Sequence, residues 1–329
     1  MNNRVGGTTR NNSEPQYSVL FYNMKFLVAI LTSSRPQLAR HCHDSILGQQ
    51  HHDFQYDIVM VINSVNPGHK ADIERVMQGT SAYIIETHSN GRPGMGHNSL
   101  LEIFQESLGY DYLIPIDGDD ILYPSAFHQL QKALKFQPQL LCIQTNDSLT
   151  RDQKLVRHAP LANDWRLVSW FDDQENWWKI HQLRNPFSES IRNCATPSRP
   201  VLIHRSAIGY LPRRPYGEDL ALYDDMIFFL HLCEAFYRRP EELRLYFTSN
   251  TYIYIHNDMN PASATNAGID YAREQELFNS RMSSGYDNIK RWQLDELPHC
   301  QISNPDWFSI QQKIAFATLA TQKIDQVST

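Results

Sequence analysis

The sequence predicts an α/β fold in which helices flank a mostly parallel central sheet. Four apolar runs of strand length alternate with polar loops and helix-like segments in the first half of the chain. The runs are continuously apolar rather than alternating, which is the pattern of strands that are buried on both faces. Right-handed crossovers bring the carboxyl ends of parallel strands to one edge of the sheet, where ligands of open sheets bind.

The first two strands are predicted at "KFLVAIL" and "YDIVMVI". The loop "TSSR" separates the first strand from a helix that begins with proline, and Leu38, Cys42 and Ile46 recur every four residues along this helix. After the second strand, the loop "NSVNPGH" leads into a short helix from about Lys70 to Met77. Both units therefore have the strand–loop–helix order that a parallel sheet requires.

The third and fourth strands are predicted at "AYIIET" and "DYLIPI". The loop "HSNGRPGMG" precedes a helix that carries Leu100, Phe104 and Leu108, and "DGDD" precedes a helix that begins at Pro124. One of these loops is rich in glycine and the other is acidic, which is unusual for a simple connection. We expect all four polar loops to converge at the carboxyl edge of the sheet.

The second half of the chain is less regular. "LLCIQT", "RPVLIH" and "NTYIYIHND" are predicted strands, and "YDDMIFFLHLCEAF" is a predicted helix with acidic residues in its first turn. The segment 146–198 is long, polar and rich in tryptophan, a composition that suits contact with a carbohydrate. We expect a disordered tail over residues 1–23, one domain over 24–265 and a helical extension over 266–329.

Composition and charge exclude several classes of protein. The formal net charge is −6, and no basic cluster is denser than "YRRP" or "PRRP", so a nucleic-acid partner is not expected. No apolar run approaches the roughly 18 residues that a membrane span needs. The five cysteines are scattered, as is typical of free thiols in a reducing compartment. We therefore expect a soluble, cytoplasmic protein.

Three carboxylates directly follow the fourth predicted strand, in "YDYLIPIDGDDILYP". A helix cap would explain one aspartate, but Asp117, Asp119 and Asp120 lie within four residues of each other. Carboxylates this close repel each other unless a cation lies between them. Clustered oxygen ligands suit a hard divalent ion, so the pattern predicts a Mg²⁺ or Mn²⁺ site.

The segment "DYLIPIDGDDILYPSAF" resembles the Asp-x-Asp region of glycosyltransferases with the GT-A fold, especially the family-2-like group. "VAILTSSRPQLARHCHDSILGQ", "SNGRPGMGHNSLLE" and "PSRPVLIHRSAI" are similar to other parts of the same family, in the same order. The resemblance implies a metal-dependent enzyme that moves a sugar from a nucleotide-diphosphate sugar to an acceptor hydroxyl, with inversion. It also implies a donor-binding half over 24–145 and an acceptor-binding half over 146–265.

The resemblance assigns the metal to the acidic loop. Carried over by position, Asp119 is the main metal ligand, Asp117 contacts the ribose, the metal or a metal-bound water, and Asp120 orients its neighbours. His256 ends the last predicted strand, where many enzymes of this fold have a histidine that binds metal or phosphate. A divalent ion there would bridge the acidic loop and the donor's diphosphate and stabilise the departing diphosphate.

The resemblance assigns the nucleotide to the loops that follow the first three strands. Arg35 is well suited to a phosphate group, and Asn63 stands where the family often has an aspartate, so the base is left open. The predicted nucleotide-binding residues are Thr32, Ser33, Arg35, Asn63, Arg92, Gly94, Asn98 and Asp117.

Two acidic pairs are candidates for the general base that takes the acceptor's proton. In the family, the base is the second acid of a pair that opens a helix. The apolar helical spacing begins directly after Asp224 and Asp225, which favours Asp225, with Asp219 of the Glu218–Asp219 pair as the alternative. Helix capping explains the pair that is not the base.

Three other functions are weighed against glycosyl transfer. A phosphohydrolase of the haloacid-dehalogenase type also ends a strand with Asp-x-Asp, but normally on its first strand. A nucleotidyltransferase would have a Gly-rich loop directly after the first strand, where this chain has "TSSRPQ". A catalytically inactive protein that binds sugar nucleotides or glycans would keep the fold without turnover.

Overall fold

The structure is a computed structural model of the 329-residue chain. It describes residues 24–50, 52–53, 55–134, 137–143, 147–149, 155–156, 169–172, 177–179, 199–222, 224–225, 227–228, 231–232, 235, 239, 242–248, 253–257, 269–270, 272–274, 276–278 and 280. The tail predicted over residues 1–23 lies outside these ranges.

The strands, in chain order, are β1 (Lys25–Thr32), β2 (Gln55–Ile62), β3 (Tyr83–Glu86), β4 (Tyr112–Asp117), β5 (Ile121–Leu122), β6 (Leu140–Ile143), β7 (Asp147–Leu149), β8 (Leu155–Val156), β9 (Ser169–Asp172), β10 (Trp177–Lys179), β11 (Arg199–His204), β12 (Leu245–Thr248) and β13 (Tyr254–Asn257). The helices that are described without a gap are α1 (Pro36–Leu47), α2 (His69–Val76), α3 (Pro93–Glu106), α4 (Ala126–Leu134) and α5 (Arg205–Ile208).

The main sheet has the order β3–β2–β1–β4–β11–β6–β12–β10–β9 among the described residues. Strands β3, β2, β1 and β4 are parallel to one another, and β6 is parallel to β12. Strand β11 runs antiparallel to both of its neighbours. The prediction of an α/β fold with a mostly parallel central sheet is therefore confirmed.

Strand β1 shows why the apolar runs are continuous. Phe26, Val28 and Ile30 belong to a hydrophobic cluster that also includes residues of α1 and α4. Leu27 and Ala29 belong to a second cluster, which includes residues of α3. Because consecutive side chains of a strand point to opposite faces, both faces of β1 are buried under helices.

Two details differ from the sequence prediction. Helix α3 ends at Glu106 and not at the predicted Leu108, whose side chain is 85% exposed. The chain leaves the helix at Ser107, whose backbone has φ −86° and ψ 78°, while its amide and its hydroxyl both donate to the carbonyl of Ile103. The sequence also does not predict the short strands β5, β7, β8, β9, β10 and β12. Strands β5, β7 and β8 form a second sheet with β13 in the order β5–β13–β7–β8, whereas β9, β10 and β12 belong to the main sheet.

The acidic loop after β4 lies directly against β1. The amide of Gly118 donates to the carbonyl of Leu31 at 2.7 Å. A Cβ atom at residue 118 would lie 2.8 Å from that carbonyl oxygen and 3.2 Å from Cβ of Thr32. A glycine between the two aspartates therefore allows the acidic loop to sit beside the end of β1.

Candidate active site

The ends of β1, β2 and β4 lie side by side at the carboxyl edge of the main sheet. The amide of Asn63, which follows β2, donates to the carbonyl of Thr32 at 2.8 Å. On the other side of β1, Gly118 is bonded to Leu31. The convergence of the polar loops that the sequence predicts is therefore present in the structure.

The acidic loop is partly open to solvent. The side chain of Asp117 is 24% exposed, Asp119 is half-buried, and Asp120 is completely buried. The amide of Asp120 donates to the carbonyl of Asp117 at 3.0 Å, which closes the loop into a turn. Burial raises the pKa of the Cys42 thiol beneath this loop, and the negative charges of Asp120, Asp119 and Asp117 raise it further.

His97 connects the acidic loop to a second acidic site. Its Nε2 atom lies 3.0 Å from Oδ1 of Asp117, and its Nδ1 atom lies 2.7 Å from Oδ2 of Asp224. An ionised carboxylate only accepts hydrogen bonds, so both ring nitrogens must donate and the imidazole carries a positive charge. Burial alone would lower the pKa of His97, but its hydrogen bonds to Asp117 and Asp224 and their charges raise it to about 10.

Asp224 begins a helical segment, here named the Asp224 helix, whose described residues are 224, 225, 227, 228, 231, 232 and 235. Asp224 is 7% exposed and lies on the buried side of this helix with Ile227 and Phe228. The ring of Tyr216 lies between His97 on α3 and Phe228 on the Asp224 helix. Its centroid is 4.8 Å from that of His97 and 4.5 Å from that of Phe228. The His97–Asp224 pair is therefore packed beside the stacked rings of Tyr216 and Phe228.

Asp224 and Asp225 differ in their surroundings. Asp224 is bonded to His97, whereas Asp225 is half-buried on the next position of the helix. Asp219 is exposed in the turn that precedes the helix. Of the three predicted catalytic acids, Asp224 is buried against His97, Asp225 is the adjacent helical residue with partial access to solvent, and Asp219 is exposed.

We expect His97→Leu to lower the free energy of unfolding by about 3–5 kcal/mol, because removing one partner of a buried ion pair leaves the other charge without compensation. Chemical denaturation measures the change. His41→Leu, on the exposed side of α1, is the matched control and should stay within about 0.5 kcal/mol of the parent. The double variant His97→Leu/Asp224→Asn should regain part of the loss. A loss in His97→Leu no larger than in the control would contradict the ion-pair assignment.

The loop after β1 presents a cation to the carboxyl edge. Arg35 is exposed and has φ 51° and ψ 75°, a left-handed conformation that is uncommon outside glycine. No side-chain hydrogen bond or ion pair of Arg35 is found among the described residues. Ser33 is exposed as well, whereas Thr32 is buried, with its hydroxyl 3.0 Å from Nε2 of His69.

Asn63 is buried at the end of β2, and its amide connects neighbouring loops. Its Nδ2 atom donates to the hydroxyl of Thr87 at 3.0 Å and to the carbonyl of His88 at 2.9 Å. Its Oδ1 atom accepts a hydrogen bond from the hydroxyl of Ser89 at 3.0 Å. Contact of Asn63 with a nucleotide stays a prediction, and the structure shows the amide holding the loop that leads to α3.

Asn98, which the sequence assigns to the nucleotide, contacts the segment before the Asp224 helix. It is fully buried and exchanges two hydrogen bonds with the backbone of Tyr216, at 2.9 and 3.1 Å. Its Nδ2 atom also donates to Glu218 at 2.9 Å. Its proposed nucleotide contact is untested, and its observed use is to join α3 to the 216–218 turn.

Arg92 and Gly94, at the start of α3, both lie against segments that are distant from them in the sequence. Arg92 donates to the buried carboxylate of Glu274 at 2.9 Å. A Cβ atom at Gly94 would overlap the carbonyl of Gly217 and lie 3.1 Å from Cβ of Asp224. Glycine at this position therefore permits the close approach of α3 to the Asp224 helix, and nucleotide contact by either residue stays a prediction.

The backbone of His256 lies in β13, next to the acidic loop. In the antiparallel pairing of β13 with β5, Ile255 is opposite Ile121, and continuing this register by one residue places His256 opposite Asp120. The side chain of His256 lies outside the description. Its metal-ligand role therefore stays a prediction.

The residues of the acidic loop fit a divalent cation. Asp117 and Asp119 are neighbouring, partly exposed carboxylates. Among the described residues, no group of three or more His, Cys, Asp and Glu side chains is arranged to hold a metal. A donor set of two carboxylates is what Mg²⁺ uses where substrate phosphates and waters complete its coordination.

The sequence analysis missed His97 and Glu274. Each is one residue of its type in a helical pattern, and its partners are far away in the chain: Asp224 is 127 residues from His97, and Glu274 is 182 residues from Arg92. The only local signal for His97 is the cluster of negative charges at Asp117–Asp120. This cluster indicates that a cation lies nearby, but it does not indicate which residue or ion supplies the charge.

Fold and site together define an α/β protein with two linked acidic groups at the carboxyl edge of a mostly parallel sheet. Neither protein-family models nor curated proteins give a match to the chain. Solved structures of S. aureus TarS are distantly similar. The crystal structure of S. aureus TarS has a TM-score of 0.48 and 14% identity over 71% of this chain, which spans 37% of the TarS chain.

Two shorter TarS structures give similar values. TarS 1-349 in complex with UDP has a TM-score of 0.48 and 13% identity, covering 83% of this chain and 76% of that one. TarS 1-349 in complex with UDP-GlcNAc has a TM-score of 0.49 and 13% identity, covering 75% and 62%. At these values the function of this chain has to be inferred from its own residues. Within the described part of the chain, no helix has the length and apolar character of a membrane span.

Proposed function

We propose that this protein is a metal-dependent glycosyltransferase that moves a sugar from a nucleotide-diphosphate sugar to an acceptor hydroxyl. The observation that carries the proposal is the imidazole of His97, which joins Asp117 of the acidic loop to Asp224 beside Asp225. One acidic group suits a metal-bound diphosphate, and the other supplies a carboxylate for proton transfer. Glycosyl transfer needs both at one place.

The residues have separate parts in the proposed reaction. Asp119 and Asp117 would hold Mg²⁺ or Mn²⁺, and the ion would supply positive charge that favours the diphosphate as a leaving group. The exposed guanidinium of Arg35 binds two phosphate oxygens of the donor in a bidentate manner. Asp225 accepts the proton of the acceptor hydroxyl, whose oxygen forms a bond to the anomeric carbon. The bond to the diphosphate breaks, its electron pair leaves with the diphosphate, and attack from the opposite face inverts the anomeric centre.

The proposal extends to the acceptor and the compartment. The acceptor is a carbohydrate or another hydroxyl compound in glycan or polysaccharide synthesis, in keeping with the tryptophan-rich segment, whose side chains lie outside the description. A reducing, cytoplasmic location is supported by Cys42 and Cys142, which are buried free thiols. Neither a donor sugar nor a base is assigned.

A panel of nucleotide sugars tests the proposal directly. We expect the purified protein to hydrolyse at least one UDP-, GDP- or dTDP-linked sugar slowly in the presence of Mn²⁺, and to lose this activity in EDTA. Release of the nucleotide diphosphate is measured by chromatography. Binding of a nucleotide sugar by calorimetry without any turnover would instead identify an inactive binding protein, and turnover of p-nitrophenyl phosphate would indicate a phosphohydrolase.

A further inference from the structure

The buried carboxylate of Glu274 is bonded to two separate parts of the candidate site. Glu274 lies in a helical segment whose described residues are 272–274, 276–278 and 280, here named the C-terminal segment. Its side chain is 5% exposed. Its Oε1 atom accepts a hydrogen bond from Arg92 at 2.9 Å, and its Oε2 atom accepts from the amides of Ala221 at 2.7 Å and Leu222 at 3.2 Å.

These contacts lie directly before the acidic pair. Leu222 is two residues before Asp224, so Glu274 holds the backbone of the turn that leads into the Asp224 helix. On the same C-terminal segment, Phe278 is 1% exposed and belongs to the hydrophobic cluster that contains Phe228. The segment is therefore bonded to the turn that precedes the Asp224 helix and shares a hydrophobic cluster with that helix.

Arg92 extends this connection to the other side of the site. It lies immediately before α3, the helix that carries His97. In the same loop, Asn90 donates to the carbonyl of Glu218 at 2.8 Å. Glu274 is therefore bonded to the loops that precede both α3 and the Asp224 helix, the two elements that the His97–Asp224 pair joins.

We propose that Glu274 is a positioning residue, which fixes the start of the Asp224 helix and thereby the orientation of Asp225 toward the acceptor. This inference rests on the proposed function and deepens it. The carboxylate of Glu274 accepts from one charged donor and two backbone donors, so both of its oxygens are bonded. A base displaced by about 1 Å can lose about 100-fold in rate without any change in how the donor binds.

Glu274→Gln tests the inference, because the amide keeps the size of the side chain but has only one acceptor oxygen. Hydrogen–deuterium exchange is measured on peptides covering residues 216–225. We expect the amides of Ala221 and Leu222 to exchange about 10- to 100-fold faster, the effect of losing a hydrogen bond to a charged group. Glu276→Gln, an exposed position on the same segment, is the matched control and should leave exchange unchanged.

Kinetics provide the second measurement, with the nucleotide sugar that the panel identifies as donor. We expect Glu274→Gln to lower kcat by about 10- to 100-fold while the KM for donor stays within a factor of two of the parent. Faster exchange with unchanged kcat would overturn the positioning role, and unchanged exchange would overturn it whatever the kinetics. If the parent protein turns over no donor, the proposed function fails, and the exchange data still decide whether Glu274 holds residues 221 and 222.

A second variant covers the case in which Glu274→Gln does not fold. Arg92→Gln removes the ion pair but leaves both oxygens of Glu274 in place to accept the backbone amides. Because Glu274 then loses the donor that holds its Oε1 atom, its Oε2 atom is fixed less firmly, and we expect faster exchange at Ala221 and Leu222 than in the parent. Wild-type exchange in this variant would overturn the inference that Glu274 couples the loop before α3 to residues 221 and 222.

Discussion

Asp119→Ala is expected to abolish sugar transfer. Asp119 is the partly exposed carboxylate of the acidic loop that we assign as the main ligand of the divalent cation. The cation contributes several kcal/mol to stabilising the leaving diphosphate, so its loss should lower the rate by about 10³-fold or more. Turnover is measured with the active donor at saturating Mn²⁺, so that weak residual binding of the metal is not mistaken for a catalytic defect.

Binding measurements separate this effect from unfolding. Calorimetry with the corresponding nucleotide diphosphate should show Mn²⁺-dependent binding in the parent and no dependence on Mn²⁺ in Asp119→Ala. Asp53→Ala is the matched control, since Asp53 is exposed and its carboxylate is bonded to Gln131 away from the carboxyl edge. Full activity of Asp119→Ala would refute the assignment of the metal site.

The parallel sheet and its functional edge could be predicted because both depend on local patterns. Continuous apolar runs such as that of β1 require burial on two faces, and right-handed crossovers then determine where the polar loops meet. The acidic loop was recognisable for the same reason, since Asp117, Asp119 and Asp120 are neighbours in the sequence.

The sequence could not predict that His97 is the positively charged side chain that contacts the acidic loop. In the sequence, His97 is an ordinary polar position within the hydrophobic pattern of a helix. Its role depends on its hydrogen bonds with Asp117 and Asp224, which lie on different elements. The same limit applies to Asn98, whose side chain is committed to the 216–218 turn, 118 residues further along the chain. Contacts between distant elements depend on the packing of α3 against the Asp224 helix, and no short stretch of sequence encodes that packing.

The candidate catalytic acids Asp219, Asp224 and Asp225 differ in their burial in the structure. The sequence favours Asp225 from helical spacing and leaves Asp219 as the alternative. In the structure the carboxylate of Asp224 is bonded to His97 and buried, whereas Asp225 is half-buried and Asp219 is exposed before the helix. A base needs a position within reach of the acceptor and a fixed orientation, and a helical residue beside an anchored one meets both needs better than a residue in an exposed turn.

Asp225→Asn is therefore expected to lower kcat for sugar transfer by about 10²- to 10⁴-fold, because the amide cannot take the proton of the acceptor hydroxyl. Binding of the donor should be unchanged, since Asp225 has no assigned contact with the metal or the diphosphate. Steady-state kinetics and calorimetry with the same donor measure the two quantities. Asp219→Asn is the control, and it should keep most of the parent's kcat.

Asp224→Asn distinguishes a base from its support. The asparagine can still accept a hydrogen bond from His97, but the buried charge that faces the imidazole is lost, so we expect a decrease in stability together with a smaller decrease in kcat than in Asp225→Asn. A loss of transfer in Asp219→Asn with full activity in Asp225→Asn would instead put the base in the turn before the helix. In that case the His97–Asp224 pair would orient the helix for a reason other than proton transfer.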